Sequence, residues 1–286
     1  MTKRARLTTR QVCEGEPLAT DFRAVTELAG AQILLEQLAR LVNRYTWAAS
    51  YCRARDVVEA GCGAGPGLGI LARAAGSLEA GDNCRPILDL ARHHYRDRIP
   101  LREFDAQEMP FADKSKDIIV LFEAIYYLSD PERFLSECVR VLRDDGLVLL
   151  ASANKDIWDF HPSPYSHKYF GVVELGTLFA QYGFECKFYG FQSVVRSPLR
   201  QRLLRPLKRA AVMSGLMPKT MNGKRWLKRI VFGRQVPMPA EVSSESGAYE
   251  EPQPIPAGQP DRRHKIIYCV AHLGPVRSEK WSPSTC

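Results

Sequence analysis

The stretch GCGAGPG at 61–67 contains the residues of this sequence best suited to hold a ligand. It follows a short apolar run and precedes a helical pattern, so its glycines would lie where a strand turns into a helix. Glycine adopts positive φ and lets a ligand approach the backbone closely. The first N–H groups of a helix lack partners within the helix and can bind an anionic or polar group. The loop therefore suits a dinucleotide or another adenosine-containing cofactor.

The spacing of the glycines disfavours a dinucleotide. The dinucleotide fingerprint G-x-G-x-x-G/A requires a small third residue, and in the three possible frames that position is Pro66, Leu68 or Ile70. The pattern that fits is E-x-G-x-G-x-G, formed by Glu59, Gly61, Gly63 and Gly65.

The elements that must position this loop are those of a parallel sheet. Between residues 51 and 191, short apolar runs alternate with amphipathic stretches, which is typical of βαβ units. Strands are predicted at 56–60, 78–82, 101–104, 118–122 and 147–151. With helices after the first, second and fourth strands, this order describes a Rossmann-like, doubly wound α/β sheet.

Two of the predicted helices have a recognisable buried face. The face of the helix after the second strand consists of Ile87, Leu88, Leu90, Ala91 and Tyr95. The helix after the fourth strand begins at Asp130-Pro131, an N-cap followed by a proline in the first turn. Its predicted buried stripe is Phe134, Leu135, Cys138, Val141 and Leu142.

We divide the chain into four parts. They are a helical N-terminal cap (1–50), a core (51–191), a basic helical insertion with a mobile loop (192–262), and a last strand with a tail (263–286). The cap is predicted from apolar residues at helical spacing between Leu34 and Val42. The loop is predicted from the Pro-, Ser-, Gly- and Glu-rich stretch at 241–262.

Three stretches resemble motifs of class I S-adenosylmethionine-dependent methyltransferases. VVEAGCGAGPGLGILA resembles their first motif, and LEAGDNCRPILDLAR resembles their second strand and helix, although Asn83-Cys84 stands where Ile-Ser is usual. Residues 104–151 resemble the next motifs of the type-11 group, which includes the ubiquinone and menaquinone methyltransferases. The resemblance covers residues 45–191 and implies an antiparallel last strand, for which the apolar run 264–273 is suited.

The resemblance implies that the glycine loop binds the methionine part of S-adenosylmethionine. Glu59 would contact the methionine amino group through the loop. Gly61, Gly63 and Gly65 belong to the same cofactor site, and the first two would let the backbone pack against the cofactor.

The resemblance also implies roles for residues that follow the later strands. Asp82 would accept hydrogen bonds from both ribose hydroxyls, a bidentate role that suits a carboxylate. Asp105 and Ala106 would flank adenine, with the Asp105 carboxylate accepting from the exocyclic amine. Glu123 would line the methionine end of the cofactor and the mouth of the acceptor site.

The stretch 154–175 is the candidate acceptor site. It follows the fifth strand, at the carboxyl edge where ligands bind in open α/β sheets. His161 and His167 are candidate catalytic bases, because histidine titrates near neutrality and O-methyl transfer benefits from removal of the hydroxyl proton. The alternative is a packed loop that leads into a helix predicted at 171–182. The part HPSPYSHKYF is similar to a loop in methyltransferases of glycan assembly, which implies a sugar or lipid-linked glycan acceptor.

The other cysteines and histidines give no indication of a metal site or a nucleophile. The 8 cysteines include no CxxC pair, which disfavours a zinc site or a disulfide scaffold. Cys62 is predicted to be a small buried filler of the loop. His93-His94 has no ligand partner four residues later, so no metal is predicted.

The net charge of +8 is concentrated in one segment. Between residues 192 and 240 there are 12 Lys and Arg and no Asp or Glu, which leaves −4 for the rest of the chain. Within 196–234 the cations accompany apolar residues at helical spacing, a pattern typical of interfacial helices on anionic membranes. The alternative is a lid that packs on the core. Binding of nucleic acid is a weaker third hypothesis, because the segment contains no recognisable nucleic-acid-binding motif.

The sequence predicts a cytoplasmic protein. The first 20 residues contain no apolar stretch like that of a signal peptide. The most apolar run, 117–128, is interrupted by Glu123 and is too short to span a bilayer. A peripheral contact with the inner face of the membrane through 196–234 is the alternative location.

The sequence therefore predicts a methyltransferase that uses S-adenosylmethionine. The acceptor is expected to be an oxygen of a small molecule, a lipid or a lipid-linked glycan, with carbon and nitrogen as less favoured nuclei. A nicotinamide-dependent oxidoreductase is the alternative from another enzyme class, disfavoured by the residue at the third glycine position. A non-catalytic membrane- or nucleic-acid-binding module on the same fold is the third hypothesis, and only the basic segment favours it.

Overall fold

A computed structural model describes Thr26, residues 28–194 and residues 235–274. The basic segment 196–234 lies outside the described residues. Helices α1 to α5 are Leu35–Tyr51, Leu68–Ala74, Arg85–Tyr95, Pro131–Val141 and Val172–Ala180. Strands β1 to β10 are Gln32–Leu34, Asp56–Ala60, Ser77–Asp82, Leu101–Glu103, Lys116–Phe122, Leu142–Ala153, Phe184–Ser193, Gln235–Pro237, Gln253–Ile255 and His264–Leu273.

Eight of these strands form one sheet in the order β4-β3-β2-β5-β6-β10-β7-β9. The five neighbouring strands β4, β3, β2, β5 and β6 are parallel, and β10 lies antiparallel between β6 and β7. The predicted Rossmann-like sheet with an antiparallel last strand is confirmed. From β2 the chain adds β3 and β4 on one side and then β5 and β6 on the other, so the strand order reverses at β2. The carboxyl ends of β2, β3 and β5 therefore lie at the point where a doubly wound sheet binds its ligand.

Helices cover both faces of the sheet. Helices α1, α2 and α3 bury their apolar residues in one core, and α4 and α5 bury theirs in the other. Strand β5 lies between the two cores, and its residues 118–122 are all buried, as expected of a strand covered on both faces.

The predicted buried face of α3 is confirmed except at Leu90, whose side chain is 47% exposed. At 100° per residue, Leu90 lies about 110° around the helix from the centre of the other four residues, so it points away from the sheet. For α4 the whole predicted stripe is buried. Asp130 caps this helix by accepting from the N–H groups of Glu132 and Arg133, both at 3.1 Å.

The N-terminal cap is helix α1, preceded by the short strand β1. The Trp47 ring lies 4.8 Å from the Tyr268 ring on β10, and the Tyr268 hydroxyl donates to Asn43 Oδ1 at 3.2 Å. Strand β1 pairs with β8, so the residues that follow the basic segment return to the cap. Helix α1 is thus fixed to the sheet at several points.

The stretch 241–262, predicted as a mobile loop, contains ordered contacts with the core. Strand β9 pairs with β7, and Val242 is fully buried while its N–H donates to the Pro66 carbonyl at 2.7 Å. Backbone pairing at the sheet edge explains how a Pro- and Glu-rich stretch comes to hold a short strand. No helix among the described residues is long and apolar enough to cross a membrane.

Candidate cofactor and acceptor site

A cavity of about 370 Å³ opens at the carboxyl ends of the parallel strands. Its walls are the glycine loop, the residues that follow β3, β4 and β5, and one side of α1. This volume is within the range of small-molecule sites. The predicted site residues that line it are Gly61, Gly63, Asp82, Asp105, Ala106 and Glu123. The predicted residues that do not line it are Glu59, Gly65, His161 and His167.

The glycine loop has the left-handed backbone that its composition predicts. Gly61 has φ of 70° and Gly63 has φ of 57°, and both face the cavity. Gly65 also has positive φ but faces inward, where an added Cβ would lie 2.8 Å from the Leu68 side chain. Gly65 is therefore a packing residue, whereas Gly61 and Gly63 present backbone to the cavity.

Asp82 closes β3 and is held by the loop. Its Oδ2 accepts from the Gly63 N–H and its Oδ1 from the Cys84 N–H, both at 2.8 Å. Burial raises the pKa of Asp82, and these two hydrogen bonds act in the opposite direction. Each carboxylate oxygen has a second lone pair and can accept one more hydrogen bond from a ligand.

Asp105 is fixed by Gln107 beside an apolar part of the cavity. Its Oδ1 accepts from the Gln107 N–H at 2.8 Å, and both oxygens lie 3.0 Å from the Gln107 amide nitrogen. The Gln107 side-chain oxygen Oε1 in turn accepts from the Asp130 N–H at 2.6 Å, which connects the site to the start of α4. Ala106 and Phe104 add apolar surface next to this carboxylate.

Glu59 lies behind the cavity wall. It is 1% exposed, and its Oε1 accepts from the Tyr45 hydroxyl at 2.5 Å. Burial raises the pKa of Glu59 to about 7 against the opposing effects of Tyr45 and Arg44. Its Oε2 is buried and has no hydrogen-bond partner among the described residues. Tyr45, unlike Glu59, lines the cavity. Its ring packs against Gly67, where an added Cβ would lie 2.1 Å from the ring.

Helix α1 supplies a basic wall that sequence analysis missed. Gln37, Arg40 and Arg44 line the cavity from one side of the helix, at positions i, i+3 and i+7. Arg44 Nη1 lies 4.0 Å from Glu123 Oε1, and its guanidinium lies over the Tyr45 and Phe122 rings. The spacing of these polar residues was available in the sequence, but it is also the spacing of an ordinary solvated helix face.

Glu123 is a strained residue at the end of β5. Its φ is 52°, in the left-handed region that costs a non-glycine residue about 1–2 kcal/mol. Its N–H donates to the Ala151 carbonyl at 2.8 Å, and its Oε2 accepts from the Tyr126 hydroxyl at 2.9 Å. The backbone bend turns the carboxylate into the cavity beside Tyr126 and Tyr127.

The candidate acceptor loop packs behind the two tyrosines. Tyr169 stacks on Tyr126 with ring centroids 4.2 Å apart, and Ser163 Oγ lies 2.7 Å from the Tyr127 hydroxyl. Because the tyrosines stand between this loop and the cavity, the structure does not bring His161 or His167 into the site. Both histidine side chains are exposed.

The comparisons with known proteins agree with this geometry. Residues 58–150 match the family model described as a methyltransferase domain. A probable S-adenosylmethionine-dependent methyltransferase of Mycobacterium tuberculosis is 34% identical over 144 residues, which are 49% of this chain and 52% of that protein. A ubiquinone biosynthesis O-methyltransferase of Rhizobium etli is 26% identical over 102 residues, 35% of this chain and 41% of that protein.

Residues 58–150 are a class I methyltransferase domain. The chain spans about half the length of the Mycobacterium relative that it matches. The YcgJ protein of Bacillus subtilis has the same fold, with a TM-score of 0.52 at 17% identity over 82% of this chain and 99% of that one. These matches favour the methyltransferase hypothesis over the oxidoreductase, and the domain family implies S-adenosylmethionine as the cofactor.

The adenosine part of S-adenosylmethionine fits the acceptors that the methyltransferase domain presents. The ribose diol needs a carboxylate with free lone pairs, which Asp82 provides. The adenine ring needs apolar contacts and an acceptor for its amine. Ile87, Phe104 and Ala106 provide the contacts, and Asp105 provides the acceptor.

The methionine part fits the other end of the cavity. Its carboxylate needs a cation, and Arg40 and Arg44 line the cavity. The acceptor predicted for its ammonium group, Glu59, lies behind the glycine loop and does not line the cavity, and its buried Oε2 has no hydrogen-bond partner among the described residues. The residues of this chain therefore fit the cofactor that the domain family implies.

We predict that Asp82→Ala weakens binding of S-adenosylmethionine far more than Asp105→Ala. Loss of a carboxylate that accepts two hydroxyl groups costs roughly 2–4 kcal/mol, about thirty- to several-hundred-fold in affinity, whereas one hydrogen bond is expected at Asp105. Titration calorimetry on the folded variants measures this, with NADH as the control ligand for which no binding is expected. Equal affinities of wild type and folded Asp82→Ala would contradict the cofactor assignment.

We predict that Glu59 makes the stability of the domain depend on pH. Its pKa is higher in the folded protein than in the unfolded chain, so the free energy of unfolding falls as pH rises through the interval from about 4.5 to 7. The loss should be about 2–3 kcal/mol between pH 5 and pH 8. Glu59→Gln keeps an acceptor for Tyr45 and should remove this loss in urea unfolding. The same loss in both proteins would show that other groups cause it.

Proposed function

We propose that this protein transfers the methyl group of S-adenosylmethionine to an acceptor oxygen. The observation that carries the proposal is one cavity that joins the glycine loop and Asp82 to Glu123 and the tyrosine pair Tyr126-Tyr127. The match to an O-methyltransferase of ubiquinone biosynthesis supports oxygen as the methylated atom. The predicted sugar, lipid or lipid-linked glycan acceptor is part of the same proposal.

The residues of this chain would contribute mainly by binding and orientation. The cofactor supplies an already activated methyl group on its sulfonium when it is bound. The chain holds the reactants in line and excludes water, and such positioning alone accounts for a large part of a barrier reduction. Tyr126 and Tyr127 form an aromatic wall beside Glu123 that suits the apolar face of a sugar or a ring.

Glu123 is the group placed to receive the acceptor proton. As oxygen takes the methyl group, the hydroxyl proton must leave it, and a carboxylate in the cavity can accept that proton. Burial raises the pKa of Tyr126, so this phenol stays protonated and donates to Glu123. We therefore propose Glu123, the strained residue after β5, as the proton acceptor instead of His161 and His167.

We predict that Glu123→Gln lowers methyl transfer about a hundredfold while affinity for S-adenosylhomocysteine stays within a few-fold. The amide keeps the size of the side chain and an acceptor for Tyr126, but it cannot take a proton. Transfer of isotopically labelled methyl groups into lipid and glycan extracts measures the rate, and Glu108→Gln, an exposed carboxylate, is the matched control.

The alternative bases are tested in the same assay. His161→Ala and His167→Ala should each retain the rate within a few-fold. A large loss in either histidine variant, with Glu123→Gln near the wild-type rate, would return the proton transfer to the loop. Absence of label in every extract, together with no binding of S-adenosylmethionine, would contradict the methyltransferase proposal itself.

We also propose that the basic segment 196–234 brings a lipid-linked acceptor to the cavity by contact with an anionic membrane. The described residues on either side of it support this. The Val194 N–H donates to the Arg263 carbonyl at 2.7 Å, and Gln235 pairs with Leu34, three residues before Gln37 in the cavity wall. A membrane contact between these two ends would lie close to α1 and the cavity.

We predict that the protein sediments with anionic vesicles and not with neutral ones. Replacement of Arg200, Arg202, Arg205 and Lys208 by Gln should weaken this binding at least tenfold, because each cation near an anionic leaflet contributes about 1 kcal/mol. The control replaces three exposed cations of the core, Arg85, Lys114 and Arg133, and should leave binding unchanged. Equal sedimentation of the two variants, or no sedimentation of the wild-type protein with either kind of vesicle, would favour the alternative that 196–234 is a lid on the core.

A further inference from the structure

Arg40 is a cation in the cavity wall whose counter-ion is not supplied by the described part of the chain. The residue is half-buried on α1 and lines the cavity. Its Nε is buried and has no hydrogen-bond partner among the described residues. A buried polar atom without a hydrogen-bond partner is costly, so the Arg40 Nε is better explained by an anion that enters with a ligand than by packing.

Arg44 differs from Arg40 in having partners of its own. Its guanidinium lies 4.0 Å from the Glu123 carboxylate and over two aromatic rings. The cavity therefore contains two arginines, and the cofactor brings only one carboxylate. One of the two arginines is left for the second ligand of the site.

The contacts of α1 with the sheet indicate that Arg40 lies further than Arg44 from Asp82 and Asp105. Asp82 and Asp105 follow β3 and β4, on one side of the central strand β2, whereas Arg44 meets Glu123 at the end of β5. Neighbouring strands are about 4.8 Å apart. Helix α1 begins beside Lys265 at the start of β10, so Arg40, one turn before Arg44, lies further from the adenosine acceptors.

We propose that Arg40 binds an anionic group of the methyl acceptor, so that the acceptor is a carboxylate or a phosphate ester. This inference rests on the proposed methyltransferase function and adds the chemical class of its acceptor. The planar guanidinium binds either group through two parallel hydrogen bonds, which would fix the acceptor hydroxyl relative to Glu123. A neutral acceptor would leave the Arg40 charge without a counter-ion in the occupied site.

The test uses the full chain saturated with S-adenosylhomocysteine, so that the carboxylate site of the cofactor is filled. Phenyl phosphate and benzoate are the anionic probes, phenol is the neutral probe, and calorimetry gives their dissociation constants. We expect phenyl phosphate or benzoate to bind at least tenfold more tightly than phenol, and the tighter of the two identifies the anion. Arg40→Gln should lose this preference, Arg40→Lys should keep part of it, and Arg85→Gln on the surface should keep all of it.

A second comparison separates the acceptor from the cofactor. 5′-Methylthioadenosine lacks the amino and carboxylate groups of S-adenosylhomocysteine. We expect Arg40→Gln to keep the wild-type ratio of the two affinities within about twofold. A weakened affinity for S-adenosylhomocysteine alone would assign Arg40 to the cofactor and overturn the inference.

Equal probe binding by wild type and Arg40→Gln would also overturn it. Failure of the wild-type protein to bind S-adenosylhomocysteine would instead contradict the methyltransferase proposal, so the two failures are distinguishable. Thermal melting of each variant verifies that it is folded.

Discussion

The hydrogen bond from the Gly63 N–H to the Asp82 carboxylate is the interaction on which the site depends. It joins the loop after β2 to the end of β3 and fixes how far apart those two strand ends lie. The loop can make this bond because Gly61 and Gly63 adopt positive φ. Without it, the Asp82 carboxylate would be a buried charge with one fewer donor, and burial already raises its pKa.

Helix α1 packs against the glycine loop and forms part of the wall of the same cavity. Gly67 leaves room for the Tyr45 ring, and the Tyr45 hydroxyl reaches through to Glu59 on the central strand. The same helix places Arg40 and Arg44 in the cavity wall. The cavity thus has carboxylates where the cofactor's hydroxyl and amine groups are expected and guanidinium groups where anions are expected. Among the described residues, all cations in the cavity wall come from helix α1, which lies outside the family match.

The parts of this molecule that could be predicted from sequence are those governed by local patterns. Strand β2 has the predicted bounds, and the Asp130 cap and the α4 stripe follow from spacing and turn chemistry. Strand β7 was not predicted, although the first five residues of FECKFYGFQS alternate apolar and polar, and its pairing with β10 stabilises it. Sequence alone could not predict that Arg40 and Tyr45 line the cavity or that Glu59 is buried. These features depend on how helix α1 packs against the glycine loop, which is a tertiary contact and not a local pattern.

The division between matched and unmatched residues has a consequence for specificity. The matched domain, 58–150, contains the glycine loop, Asp82, Asp105 and Glu123, which are the groups suited to the cofactor and to the reacting atoms. The arginines of the cavity wall come from α1, outside that match. Tyr126 and Tyr127 belong to the match, but they are held from behind by Tyr169 and Ser163 of the loop after β6, which lies outside it. A change of acceptor can therefore arise through α1 or the loop while the bond between Gly63 and Asp82, and with it the cofactor site, stays intact.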